Sequence, residues 1–269
     1  HTVSMPTGCG TICAMMPGLV KMPTPMTLEI TIADGRADIF KPLPYGFDQR
    51  LRGVDVPLMF SNMLIGAIPR QGKTFSLRVL VLGAALDPSV ELHIHELKGT
   101  GDLSAVEPIS HRYSSGPADP VTLENTMASI REVHSYLEPR ARAIAGLPRD
   151  VCPENKVTRA LADRRGLGLH PVLLAVDEVH ELFLSEYGTE AEEKLMAIIR
   201  RGPALGIMLI LATQRPDRTS LPTSISANAG LRLCLRVMGQ IENDMILGTS
   251  MYKNGFRATT FSDRDKGIG

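Results

Sequence analysis

Aromatic residues are scarce in this sequence. It contains no tryptophan, and aromatic residues make up only 4% of its 269 positions. That is too few for a platform on which successive nucleic-acid bases stack. Lys+Arg and Asp+Glu are equal, at 29 each, so the formal net charge is zero. This balance argues against a strongly basic coat for nucleic acid, although it is compatible with a local basic surface.

Long apolar runs are also lacking. Stretches such as Val79–Leu86 and Gly206–Ala212 are shorter than the roughly 20 residues of a membrane-spanning helix. The N-terminus does not have the layout of a secretory signal. These absences predict a cytoplasmic location, with any membrane association provided by segments outside the sequence. Because the chain begins at His1 rather than at Met, we expect it to be part of a longer protein.

Cysteine is rare, with four residues in the chain. Cys9 and Cys13 have Cys-x-x-x-Cys spacing, but neither a second pair nor a suitably spaced pair of histidines accompanies them. We therefore expect ordinary reduced thiols rather than a zinc site.

A strand from Leu58 to Ile65, a loop and a helix from Phe75 to Leu86 are predicted in that order. An apolar run enters a loop that ends in Gly72-Lys73-Thr74, and the residues after it have helical composition. This order is that of a P-loop, in which the free N–H groups of the first helical turn face an anion. Lys73 would contact the β- and γ-phosphates of ATP, and Thr74 would bind Mg²⁺. The predicted nucleotide-binding residues are Ala67, Ile68, Pro69, Arg70, Gln71, Gly72, Lys73, Thr74 and Phe75.

The loop departs from the P-loop pattern at one position. The motif G-x-x-x-x-G-K-[ST] requires glycine at Ala67, and the glycine is instead Gly66. Ala67 fits only if its φ stays negative, because a Cβ makes positive φ costly. The loop alone therefore does not decide whether a nucleotide binds.

A second element comes from the segment that ends in Asp177 and Glu178. Six consecutive apolar residues precede the two carboxylates, a pattern typical of a strand buried on both faces of a parallel sheet. This is the pattern of a Walker B motif. Asp177 would hold Mg²⁺, usually through water, and Glu178 would orient or deprotonate an attacking water. The alternative is a strand that ends in a solvated acidic turn.

Two further strands are predicted to end in polar residues. Gly206–Ala212 leads to Gln214, a candidate sensor of the γ-phosphate, although a glutamine in an ordinary turn would look the same. Val90–His95 leads to a glycine-bearing loop with Lys98, which is either a ligand-facing residue or a solvated lysine. Leu231–Val237 alternates apolar and basic residues and predicts another strand.

Other segments have weaker patterns. Val121–Ala145 and Glu190–Arg201 have apolar residues three or four positions apart, which predicts helices. Leu28–Ile32 alternates and predicts a strand, and the prolines of Lys41–Phe47 predict an extended lead-in.

The combined motifs resemble those of one protein family. Leu211-Ala-Thr-Gln-Arg-Pro216 resembles the signature of the FtsK/SpoIIIE family of hexameric double-stranded DNA translocases. Met63–Thr74 resembles its Walker A motif, His95–Lys98 its Asp-Pro-Lys element, and Leu137–Arg140 its Met-Glu-x-Arg helix. Ala204–Ile207 is similar to its lead into the sensor strand. The Ile-Pro-Arg-x-Gly-Lys-Thr and Leu-Lys-Gly-Thr-Gly-Asp-Leu phrases look most like the actinobacterial branch, which includes TraB-like conjugative transfer proteins.

The resemblance implies a RecA-like α/β P-loop NTPase, with a largely parallel sheet flanked by helices, over residues 41–269. Residues 1–40 would form a small appendage. The implied activity is ATP- and Mg²⁺-dependent movement along double-stranded DNA by a homo-hexameric ring. Lys73, Glu178 and Gln214 would act in catalysis, and Thr74 and Asp177 would hold the metal. Since Pro203 occupies the family's arginine position, Arg201 is the candidate arginine finger for a neighbouring subunit. A winged helix or membrane anchor would lie outside the chain.

Two other functions are compatible with the same sequence motifs. Protein-export ATPases of type VII secretion systems share the implied fold and motifs. A non-catalytic scaffold that binds nucleotide weakly through the altered loop is the second alternative.

Overall fold

Strands and helices alternate along the part of the chain that the computed structural model describes, which is residues 37–269 and the backbone of residues 20–21. The strands are β1 Val20–Lys21, β2 Leu43–Asp48, β3 Gly53–Val56, β4 Asn62–Gly66, β5 Glu91–Glu96, β6 Arg112–Ser115, β7 Val172–Asp177, β8 Ile207–Thr213 and β9 Leu231–Cys234. The α-helices are α1 Lys73–Ala85, α2 Pro120–Ser135, α3 Leu137–Ala145, α4 Arg159–Ala162, α5 His180–Phe183, α6 Gly188–Arg201, α7 Thr223–Asn228 and α8 Gln240–Leu247. Such alternation is typical of a parallel sheet covered by helices.

A six-stranded sheet, in the order β6-β5-β7-β8-β4-β9, forms the centre of the fold. Every neighbouring pair in it is parallel. Strands β7 and β8 are buried along their whole length, as their continuous apolar sequences predict. The prediction of a largely parallel α/β sheet is therefore confirmed. None of the helices in the described residues combines the length and apolar character needed to span a membrane.

A small antiparallel sheet of β1, β2 and β3 precedes the main sheet. Strand β2 overlaps the predicted extended segment Lys41–Phe47. Its Leu43 packs closely over Gly83 of α1. The predicted strand Leu28–Ile32, the cysteine pair at positions 9 and 13, and most of the predicted appendage (1–40) lie outside the described residues.

Two predicted boundaries differ from the structure. The segment predicted as one helix from 121 to 145 is two helices, α2 and α3, that meet at Tyr136. Pro139 explains the break, because it has no N–H to donate to the carbonyl of Ser135. Strand β4 starts at Asn62 rather than Leu58, since a turn closed by the Ser61 N–H and the Leu58 carbonyl precedes it.

Candidate functional site

The carboxyl ends of β4, β7 and β8 meet at one edge of the sheet. Gly66 at the end of β4 is paired with Thr213 at the end of β8, and Val176 of β7 is paired with Leu211. The loops that follow these strands therefore begin side by side, as is usual at ligand sites of open α/β sheets.

The P-loop takes its special backbone geometry at Arg70 and Gly72, where φ is 64° and 97°. Ala67 is not among the described residues with positive φ. It is fully buried, and its N–H donates to the Thr213 carbonyl at 3.3 Å. The φ of Ala67 therefore stays outside the positive range, as expected for a residue with a Cβ, and alanine is accommodated without backbone strain.

The displaced glycine, Gly66, has a packing role of its own. A Cβ at this position would overlap the side chain of Ile246 on α8. The glycine thus permits close approach of α8 to the end of β4, one residue before the usual motif position.

The N-terminus of α1 is open to an anion. Its N-cap residue is Gly72, no side chain caps the helix, and no acidic residue lies in its first turn. Unpaired N–H groups and the positive end of the helix dipole therefore face the loop. Of the predicted nucleotide-binding residues, the structure buries Ala67, Gln71 and Lys73, partly buries Ile68, Gly72, Thr74 and Phe75, and exposes Pro69 and Arg70.

Lys73 contacts both carboxylates of the predicted Walker B motif. Its Nζ, on a side chain only 3% exposed, contacts Asp177 Oδ1 and lies 2.9 Å from Glu178 Oε1. Thr74 Oγ1 lies 3.4 Å from Asp177 Oδ2. The structure therefore brings together two pairs of residues, 73–74 and 177–178, that are far apart in sequence.

These residues fit a nucleotide with its magnesium ion. The Thr74 hydroxyl and the Asp177 carboxylate are adjacent oxygen donors, the ligand type that Mg²⁺ prefers. Burial raises the pKa of Asp177 above its usual value, although the charge of Lys73 opposes this. Positive charge from a divalent cation would favour the ionised carboxylate here.

Glu178 is held in a strained backbone conformation, with φ 54°. Its Oε2 accepts the Gln214 N–H at 2.9 Å, and its Oε1 contacts the Gln214 side-chain amide. His180 Nδ1 lies 3.3 Å from Oε2. Burial opposes ionisation, but the His180 hydrogen bond and the charge of Lys73 outweigh it and lower the pKa of Glu178 to about 2. Glu178 is therefore an anion at neutral pH.

His180 is part of the site, although no motif in the sequence singles it out. It is buried on the short helix α5, and its Nδ1 also lies 3.2 Å from Thr213 Oγ1. Its position two residues after Glu178, in Asp-Glu-Val-His, is the only sequence signal, and it does not show that α5 turns the ring back towards the carboxylate.

The C-terminal segment lies against the P-loop, a contact that no motif in the sequence indicates. The Gly267 N–H donates to the Gln71 carbonyl at 3.0 Å, and a Cβ at Gly72 would lie 3.1 Å from Gly267 Cα. Asp263 contacts Arg236, which follows β9. This segment therefore supports the loop at Gln71 and Gly72.

Two other selected residues lie apart from this cluster. Lys98 is exposed, and the glycine loop around it folds over Glu96, whose buried carboxylate accepts the N–H groups of Gly101 and Leu103. Arg201 is 48% exposed at the end of α6 and pairs with Glu138 at 3.0 Å. Since β8 begins six residues after it, Arg201 lies at the amino edge of the sheet, away from the P-loop of its own chain.

No protein-family model matches the sequence. A 76-residue stretch is 42% identical to the DNA translocase FtsK of Haemophilus ducreyi, which covers 28% of this chain and 8% of that protein. Over 203 residues, the chain is 26% identical to the DNA translocase FtsK of Leptospira interrogans, which covers 74% of this chain and 21% of the relative. In sequence, the chain is therefore similar to DNA translocases named FtsK. It spans about a fifth, or less, of the length of these relatives.

Solved structures with the same fold include two P-loop ATPases. The cytoplasmic domain of the type VII secretion ATPase EccC from Thermomonospora curvata matches with a TM-score of 0.59 at 21% identity, covering 82% of this chain and 26% of EccC. The pCW3 conjugation coupling protein TcpA, solved with ATPγS, also has a TM-score of 0.59, at 16% identity, covering 73% of this chain and 55% of TcpA. At these identities the likeness shows the fold, which is RecA-like as predicted.

Proposed function

We propose that this domain hydrolyses ATP to move double-stranded DNA. The observation that carries the proposal is the buried contact of Lys73 with Asp177 and Glu178, beside the uncapped N-terminus of α1. A cation shared by two carboxylates next to an anion site is suited to a phosphate that arrives with its own metal ion.

The nucleotide would bind through residues 67–75. Its phosphates would accept the free N–H groups at the start of α1, and Lys73 would move from Asp177 to the β- and γ-phosphates. Thr74 and Asp177 would hold Mg²⁺, which when bound neutralises charge on the phosphate oxygens. The C-terminal segment at Gly267 would support the loop while its contacts change.

Glu178 would position the attacking water. Its low pKa keeps it ionised, so it can accept a hydrogen bond from that water. Gln214 contacts Glu178 through both its backbone N–H and its side chain. It would therefore connect the end of β8 with the γ-phosphate. His180 would hold the carboxylate from the other side.

Arg201 is proposed to act on the site of another subunit. Its place at the amino edge, paired with Glu138, separates it from the P-loop of its own chain. A homo-hexameric ring in which α6 of one subunit approaches the P-loop of the next would give Arg201 the role of an arginine finger.

Duplex DNA is the preferred cargo because both sequence relatives are named DNA translocases. The motor would act in the cytoplasm, on a chromosome or on a conjugative plasmid. Protein export is the second candidate, favoured by the TM-score of 0.59 to the secretion ATPase EccC. A non-catalytic scaffold is less favoured, since Glu178 is ionised and adjacent to Lys73.

The test is the ATPase rate with and without duplex DNA, measured together with the oligomeric mass. We expect hydrolysis that rises when duplex DNA is added to the assembled hexamer. Hydrolysis that stays unchanged with DNA would contradict the DNA cargo and favour protein export. Hydrolysis that survives both Lys73→Ala and Glu178→Gln would contradict the assignment of the site itself.

A further inference from the structure

Histidine and carboxylate side chains cluster at the amino edge of the sheet, opposite the P-loop. Glu91 and His93 lie on β5, His111 immediately precedes β6, and Glu132 lies on α2. These four residues are called the amino-edge cluster below. The proposed function uses none of them.

Three of the four residues place their ligand atoms close together. One atom each from Glu91, His93 and His111 lie within 4.8 Å of one another. The His93 side chain is fully buried, Glu91 is 19% exposed, and His111 is 44% exposed. The group is therefore embedded in the protein on one side and open to solvent at His111.

The ring of His93 is held by a hydrogen bond outside the cluster. Its Nδ1 lies 2.7 Å from Ser129 Oγ on α2, and its Nε2 lies 2.8 Å from Glu91 Oε1. A histidine that binds metal through one nitrogen commonly has its other nitrogen fixed in this way. The Ser129 contact thus aims Nε2 into the cluster.

The two carboxylates of the cluster share one hydroxyl donor, and each also has a partner outside the cluster: His170 Nε2 lies 3.0 Å from Glu91 Oε2, and Arg112 Nε contacts Glu132 Oε2. The Tyr136 hydroxyl lies 3.0 Å from Glu91 Oε1 and 3.1 Å from Glu132 Oε1, yet it can donate only one proton. Glu132 Oε1 is also 2.8 Å from His111 Nε2. Two carboxylate oxygens therefore converge on one hydroxyl beside two imidazoles, an arrangement that an added cation would complement.

We propose that the amino-edge cluster is a binding site for a divalent transition-metal ion of the zinc class. The ligands would be His93 Nε2, the Glu91 carboxylate and a ring nitrogen of His111, with Glu132 beside them as a fourth donor. Imidazole and carboxylate together suit Zn²⁺, Co²⁺ and Ni²⁺, whereas Mg²⁺ prefers oxygen ligands alone. A bound ion would replace the proton now held between His93 and Glu91 and would link β5, the start of β6 and α2.

The site can be tested without any assay of ATP hydrolysis. Zn²⁺ binding is measured by calorimetry, and Co²⁺ is used as the spectroscopic probe, with excess Mg²⁺ present to occupy oxygen sites such as Thr74 and Asp177. The protein carries Cys9→Ser and Cys13→Ser, so that the N-terminal thiols cannot bind the metal. We expect one ion per chain, cobalt bands without thiolate charge transfer, and a higher melting temperature with Zn²⁺.

His111→Ala is the decisive variant because its side chain, 44% exposed, is the least buried of the three ligands and its loss should disturb the fold least. We expect it to weaken Zn²⁺ binding at least about 10-fold and to abolish the rise in melting temperature. His134→Ala is the matched control. His134 lies on α2, as Glu132 does, but its neighbours are charged groups of α6 rather than the cluster. Absence of saturable binding, unchanged binding in His111→Ala, or equal loss in His134→Ala would each overturn the proposal.

Discussion

Two buried basic side chains, Lys73 and Arg140, lie at opposite edges of the same sheet and are neutralised differently. Lys73 at the carboxyl edge contacts two carboxylates, Asp177 and Glu178. Arg140 at the amino edge is only 4% exposed, and its Nη1 donates to the backbone carbonyls of His170 at 2.8 Å and Leu205 at 3.0 Å. Burial lowers the pKa of Arg140 to about 10, so it remains protonated at neutral pH.

Lys73 and Arg140 differ in whether a ligand can replace their partners. The partners of Lys73 are carboxylate side chains at the end of β7, and Lys73 itself begins α1, where a phosphate can take their place. The partners of Arg140 are backbone carbonyls fixed at the entries to β7 and β8. We infer that Lys73 serves ligand binding and Arg140 serves the fold, and the predictions below separate these roles.

The largest expected effect is that of Glu178→Gln. Removing the carboxylate that orients water should lower the ATPase rate by about 10²- to 10⁴-fold, while ATP binding is retained. Steady-state hydrolysis and equilibrium binding of a fluorescent ATP analogue measure the two effects. Glu181→Gln, three residues further along the chain on α5 and 41% exposed, is the control and should keep the rate. A similar loss in both variants would show that α5 is merely disturbed.

Arg140→Met should affect stability rather than nucleotide binding. It leaves two buried carbonyls without a donor, and we expect the free energy of unfolding to fall by about 3 kcal/mol. Arg142→Met on the same helix removes a side chain that is 74% exposed and should change it by less than about 0.5 kcal/mol. Urea unfolding gives both values. Weaker nucleotide binding in folded Arg140→Met would contradict the inference that Arg140 serves the fold alone.

His95 on β5 is a third buried base, and it is held uncharged. Burial, with the nearby charges of His93 and Arg112, lowers its pKa to about 3. The unfolded chain takes up this proton near pH 6.5, so stability rises with pH between the two values. Acidification from pH 6.5 to 5 should cost about 1.5 kcal/mol through His95. In His95→Gln, the free energy of unfolding should depend less steeply on pH between 5 and 6.5. An unchanged dependence would contradict the buried neutral state of His95.

The sheet and the positions of the main site residues could be predicted because their signals are local. An apolar run that ends in Asp177-Glu178, and a loop that ends in Gly72-Lys73-Thr74, each carry their pattern within about 12 residues of sequence. Parallel strands then bring their carboxyl ends together, so Lys73, Asp177, Glu178 and Gln214 become neighbours. Their catalytic roles remain predictions.

The features that the sequence missed depend on contacts between distant segments. Nothing near Gly66 indicates that Ile246 will pack on it, and nothing near Gln71 indicates Gly267. The ring of His180 reaches Glu178 only because α5 turns immediately after β7. Such pairings follow from the assembled fold and leave no periodic pattern in the chain.

The most direct test of the central claim compares ATP binding by Lys73→Ala and Lys98→Ala. Both lysines lie close to the carboxyl edge: Lys73 begins α1 directly after the loop that follows β4, and Lys98 lies in the loop that follows β5, but Lys73 is buried and Lys98 is exposed. Affinity for a fluorescent ATP analogue is measured with Mg²⁺, at a temperature where thermal melting shows both variants folded. The account predicts that Lys73→Ala binds about 10- to 100-fold more weakly while Lys98→Ala binds as the wild type does. Equal affinity in folded Lys73→Ala and wild type would contradict it.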